Sequence, residues 1–179
     1  SEHITTPGDF CDLLVAMNPA ALKTNVRNMK RDAVVIIDED TFDASGLEKA
    51  EFKTDDPIKE LKIESAQIVS VPITSLTKAS LADSGMDNKS ILRCKNMFAL
   101  GLVCWLFSKP LEEAEHLLSN KFGKKPTLLQ ANLKVMNDGY NYGHNIHASV
   151  STYSVNPSHL EKGIYTDVKG NQATAWGLI

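Results

Sequence analysis

The sequence predicts an α/β protein in three layers, a mostly parallel sheet with helices on both faces, and three observations carry that prediction. Residues 12–17 and 32–38 are short, continuous apolar runs, the pattern of strands buried on both sides. Between them, Asn18-Pro19 is a helix-start signal, since Asn caps well and Pro suits the first helical position. Residues 93–106 form the longest apolar run, too long for one strand and poor in β-branched residues. A helix apolar nearly all round needs cover from several neighbours.

In chain order, a first strand at 12–17 is followed by a helix through Leu22, Val26 and Met29, and a second strand at 32–38 completes a βαβ unit. Residues 48–63 are charged and carry Asp55-Asp56-Pro57, which reads as a helix end and a solvated loop. Residues 67–71 make a third strand, and a helix follows that stops near Gly85. The central helix ends before Pro110. Apolar positions recur at helical spacing from Leu111 to Phe122, with Gly123 as the stop. A further helix is expected over 126–137, ended by Asp138-Gly139. Residues 140–145 are aromatic and amide-rich without a regular period, and 153–163 read as an extended linker. Ala173 and Gly177, four apart, suit close helix packing against something outside this chain. The architecture expected is Rossmann-like.

At 179 residues the chain fits one domain or one domain with an appendage, and 42% hydrophobic with 23% charged residues is a soluble composition. A net charge of −3 gives no bias toward nucleic acid. No stretch reaches the roughly 20 apolar residues of a membrane span. Cys11, Cys94 and Cys104 lack Cys-x-x-Cys spacing, so buried reduced thiols in a cytoplasmic protein are expected. The polar start, with no initiator Met and no apolar leader, and the abrupt apolar ending suggest an excised or mature piece.

Little in the residues is catalytic. The acidic cluster Asp38-Glu39-Asp40 follows the second strand, as a ribose-binding acid does in dinucleotide folds. No glycine-rich turn precedes it, so a solvated acidic strand end is the better expectation. His144 and His147 are three apart without companion ligands and read as ordinary histidines. Polar residues do gather at the predicted strand ends: Asn18 and Lys23 after the first, Thr74 and Ser75 after the third. Open α/β sheets bind ligands there, although each residue also has a plain reading as a helix cap or a solvated charge. Lys95 and Asn96, where the central helix enters the core, need partners from either a structural network or a ligand.

Five strings then occur in order: Asn18-Pro19-Ala20-Ala21-Leu22-Lys23-Thr24-Asn25, Val71-Pro72-Ile73-Thr74-Ser75-Leu76-Thr77, Lys95-Asn96-Met97-Phe98-Ala99-Leu100-Gly101, Gly139-Tyr140-Asn141-Tyr142-Gly143 and Gly170-Asn171-Gln172-Ala173. Together they resemble the 2-oxoacid:ferredoxin oxidoreductases, in particular the gamma domain at the front of the alpha subunit in the 2-oxoglutarate branch. The resemblance implies oxidative decarboxylation of a 2-oxoacid to an acyl-CoA with reduction of ferredoxin. It places thiamine diphosphate and the iron–sulfur cluster in other domains or subunits, with a thiamine-binding beta subunit as partner. It divides the chain into a partial gamma domain at 1–150, a linker at 151–168 and the start of the thiamine pyrimidine-binding domain at 169–179. It also places a Gly-rich strand–loop–helix ahead of Ser1. A coenzyme A role would use Lys23 or Lys95 as cations for phosphate and Asn18, Ser75 or Asn96 as hydrogen-bonding groups. The fragment by itself is expected to be inactive. The alternative is a structural assembly domain with no ligand of its own.

Overall fold

A computed structural model describes residues 10–146, 153–155, 161, 163, 166 and 168–178. The chain opens with strand β1 (Cys11–Ala16), helix α1 (Pro19–Asn25), a 3-10 turn (Val26–Asn28) and strand β2 (Met29–Asp38). A second 3-10 turn (Glu39–Thr41), helices α2 (Ala44–Lys49) and α3 (Pro57–Glu60), strand β3 (Gln67–Val71) and helix α4 (Ile73–Ser80) follow. The remaining elements among the described residues are helices: α5 (Asn88–Arg93), α6 (Lys95–Leu106), α7 (Glu112–Phe122), α8 (Pro126–Ile146) and α9 (Gly170–Gly177).

The strands lie in the order β1-β2-β3, all parallel. Two crossovers that step the same way put their connections on one face, because parallel crossovers are right-handed. There α1 and α3 cover Val35 and Ile37 through Leu22, Ile58 and Ile63. The opposite face presents Val34 and Ile36 to α4, α6 and α8, through Ile73, Phe98, Leu102 and Val135. The alternation along β2 thus feeds two cores, and the three-layer α/β expectation holds. Among the described residues no helix is long and apolar enough to cross a membrane.

Several expected boundaries move. Helix α1 stops at Asn25, four residues short of Met29. The Asn25 amide donates to the Ala21 carbonyl at 2.8 Å, competing with helix continuation, and Met29 is drawn into the sheet opposite Cys11. Within 48–63, Asp56 caps the short α3 by accepting from the Lys59 N–H at 3.1 Å, so the segment is not simply a loop. The largest correction is α8, which runs through Asp138-Gly139 and the aperiodic stretch to Ile146. Its glycines are contact points rather than breakers. A Cβ on Gly139 would overlap the Phe98 carbonyl, one on Gly101 the Met136 carbonyl, and one on Gly143 the Trp105 ring. Helices α6 and α8 therefore cross backbone against backbone, and Phe98 and Tyr142 pack at 5.7 Å between ring centroids.

One buried group is stranded. Thr77 lies in α4 with its side chain fully buried, and its hydroxyl has no hydrogen-bond partner. Thr77→Val removes that hydroxyl at nearly constant volume, so it is expected to raise stability by about 1 kcal/mol, read as a higher Tm by circular dichroism.

Candidate functional site

The carboxyl ends of the strands carry the most organised polar group in the molecule. Asp38 shares the face of Val34 and Ile36, so alternation turns it inward toward α4 and α6, where it is fully buried. Its carboxylate accepts from the Thr74 N–H at 3.1 Å and the Thr74 hydroxyl at 2.6 Å, and Lys95 Nζ stands 3.5 Å away. Asp40 accepts from the Ser75 N–H at 2.7 Å and the Ser75 hydroxyl at 2.6 Å. Pro72 gives α4 no side-chain cap. Two carboxylates from the end of β2 and the turn after it supply it instead, satisfying orphan N–H groups and complementing the positive helix terminus. The expectation of a solvated acidic strand end is therefore corrected for Asp38: strand parity buries it, and Thr74 and Lys95 compensate it. Tyr142 faces the same region, its phenol pKa raised by burial and by the Glu39 charge.

The sequence-predicted residues divide into separate places. Ser75 and Lys95 join the acidic strand end directly. Asn96 is exposed on the first turn of α6 and makes no hydrogen bond to any described residue. Asn18 caps α1, accepting from the Ala21 N–H at 2.8 Å. It also lines a cleft of about 380 Å³ with Thr41, Asp43, Ser45 and Lys49. Thr41 links this cleft to the strand end, its hydroxyl donating to the Met17 and Asp38 carbonyls. Lys23 is committed elsewhere: Nζ donates to the Ala50 and Glu51 carbonyls at 2.9 and 2.6 Å and sits 4.8 Å from the Phe52 ring centroid. It fastens α1 to the end of α2.

The residues alone marked Asp38 and Asp40 only as part of a solvated acidic cluster, not as partners of Thr74, Ser75 and Lys95. The signal for Asp38 was the i, i+2, i+4 parity with Val34 and Ile36. Asp40 had none, because its position depends on the turn after β2.

The donor sets for metals do not converge. The three cysteines are free, with Cys94 buried and Cys11 and Cys104 half-buried, and burial raises the thiol pKa of Cys94 and Cys104. They stand on β1, at the α5–α6 junction and within α6. No group of three His, Cys, Asp or Glu able to hold a metal occurs among the described residues. His144 packs as an aromatic ring against Tyr140 and Trp105, at 5.3 and 6.1 Å between centroids. His147 lies outside the described residues. What this site offers is hydrogen bonding and fixed charge.

Comparison with known proteins supplies a family. The model of the pyruvate ferredoxin/flavodoxin oxidoreductase family matches residues 1–142. The 2-oxoglutarate oxidoreductase subunit KorA of Mycobacterium tuberculosis (strain ATCC 25618 / H37Rv) is 37% identical over 176 residues. That match covers 98% of this chain and 27% of the relative, so the chain spans about a quarter of its length. A solved 2-oxoglutarate:ferredoxin oxidoreductase from Magnetococcus marinus, with 2-oxoglutarate, coenzyme A and succinyl-CoA bound, shares the fold. It has a TM-score of 0.60 and 24% identity over 87% of this chain and 23% of that one. With the family model matched across most of its length, the chain belongs to the pyruvate ferredoxin/flavodoxin oxidoreductase family.

Proposed function

We propose that this chain is the gamma-domain section of a 2-oxoglutarate:ferredoxin oxidoreductase, serving coenzyme A handling and subunit assembly rather than bond chemistry. The observation that carries this reading is the 37% identity to KorA across 98% of the chain. In this reading the enzyme converts 2-oxoglutarate, or a related 2-oxoacid, to its acyl-CoA and passes electrons to ferredoxin. In this reading neither thiamine diphosphate nor the iron–sulfur cluster is held by this chain. Both belong to the rest of the alpha subunit, to a thiamine-binding beta subunit, or to other parts of the assembly.

The electrostatics refine which part of coenzyme A suits the strand end. Asp38, Glu39 and Asp40 would repel a diphosphate, and Lys95 is already paired with Asp38. The neutral, amide-bearing pantetheine arm faces no such penalty. It can accept from Lys95 and exchange hydrogen bonds with Asn96. Asn18 and Ser75 frame the neighbouring surfaces, and Lys23 supports them from the α1–α2 side.

A second reading, an assembly scaffold without a ligand, is favoured by one observation: Lys95, Lys23, Ser75 and Asn18 all have internal partners. Exposed Trp176 on α9 and Leu178 just after it add apolar surface for a neighbour. Titration calorimetry of the full-length enzyme with coenzyme A separates the two. On the coenzyme A reading, Lys95→Ala weakens binding by about tenfold, the worth of one charge-assisted hydrogen bond. Asn96→Ala also weakens it while leaving Tm unchanged, because Asn96 is exposed and unbonded. Unaltered affinity in both variants assigns the scaffold reading.

A further inference from the structure

The opposite, amino-terminal edge of the sheet gathers cations from three backbone segments into one groove. Pairing of β1 with β2 jumps from Cys11–Met29 to Leu13–Val34, so two steps along β1 are matched by five along β2. Such an irregularity lifts residues out of the ladder and re-aims their side chains. Here it leaves Lys30, Arg31 and Asp32 exposed between the buried Met29 and Ala33. Lys62 faces them from the connection before β3, held at φ +58°, a left-handed conformation uncommon for a residue with a long side chain. Arg27 projects from the 3-10 turn.

These four cations line a groove of about 250 Å³ floored by the buried apolar residues Met29 and Ile63, and no carboxylate among the described residues lines it. Asp12 pairs with Lys30 at 2.6 Å. Among the described residues no ion pair holds Arg27, Arg31 or Lys62. Asp32 and Glu64 neighbour the groove in sequence, but neither lines it.

We propose that this groove binds the diphosphate group of a small phosphorylated ligand. Two guanidinium forks suit phosphate oxygens bidentately, and several uncompensated cations favour an anion of more than one charge. The groove is small for a whole organic ligand and of a size for a diphosphate. The negative overall charge disfavours a long nucleic acid strand. The site stands apart from the strand-end network by roughly 25 Å, the length of strand between Lys30 and Asp38 at about 3.3 Å per residue.

Hydrogen-exchange mass spectrometry on the full-length protein tests this site locally, with inorganic pyrophosphate, ADP and acetate compared at equal ionic strength. Pyrophosphate is expected to slow exchange across 26–31 and 61–65. Its apparent affinity should fall about tenfold in Arg31→Gln/Lys62→Gln, and also as sodium chloride rises. Arg27→Gln, a milder surface change, gives a smaller loss in the same direction. Stronger protection by ADP than by pyrophosphate assigns a nucleoside diphosphate, and equal protection assigns the bare diphosphate. The proposal is overturned if neither anion protects these segments, if the double variant is protected equally well, or if acetate matches pyrophosphate.

Discussion

Gly139→Ala is expected to lower the stability of the protein by about 2 kcal/mol, and Gly101→Ala to do the same. The new Cβ at Gly139 meets the carbonyl oxygen, carbonyl carbon and Cα of Phe98, and the one at Gly101 meets the Met136 carbonyl and the Tyr140 nitrogen. Backbone atoms cannot rotate aside as a flexible side chain can, so α6 and α8 must separate along their shared length. Overpacking of this kind costs about 1–3 kcal/mol or more, which outweighs the gain of about 1 kcal/mol that alanine brings to a helix interior. Gly143→Ala presses on the Trp105 ring and should cost less. Gly170→Ala, with no atom within 4 Å of the new Cβ, should cost nothing. Thermal unfolding of the four variants checks the ranking; equal melting temperatures across all of them would remove close helix contact as the reason for these glycines.

Asp38→Ala should be the most damaging polar substitution, at about 4 kcal/mol. It leaves the Thr74 N–H and hydroxyl without their acceptor in a buried place, at about 1–3 kcal/mol for each such group. It also strands the Lys95 ammonium, but Lys95 is 26% exposed and can turn toward water, so that part is smaller. Asp38→Asn keeps one acceptor and should lose about half as much. Lys95→Ala should lose less again, because Asp38 still holds two donors from α4. Urea unfolding of the three variants gives the order, and a Lys95→Ala protein less stable than Asp38→Ala would show that the cation, rather than the helix terminus, is what Asp38 serves.

These two networks show where sequence reading succeeds and where it stops. The strands were legible because continuous runs such as residues 67–71 can bury both faces, and α1 because Asn18-Pro19 is a local start signal. The end of α8 was not. Asp138-Gly139 has the chemistry of a stop, and only the approach of α6, far away in sequence, turns Gly139 into a contact. The strand-end site was half legible. Ser75 and Lys95 stood out as polar residues beside apolar runs, whereas the Asp40–Ser75 bonds depend on how a turn and a helix terminus meet 35 residues apart. Lys23 read as a free surface cation, but two carbonyls at the end of α2 hold it.

The proposed function stands or falls on one assay: reduction of ferredoxin by the full-length protein assembled with its thiamine-binding partner subunit and thiamine diphosphate, followed by ferredoxin absorbance. Reduction that requires both 2-oxoglutarate and coenzyme A, with succinyl-CoA formed in step with ferredoxin reduced, is the predicted result. Reduction that proceeds undiminished without coenzyme A, or that fails with 2-oxoglutarate and every other 2-oxoacid, would contradict it.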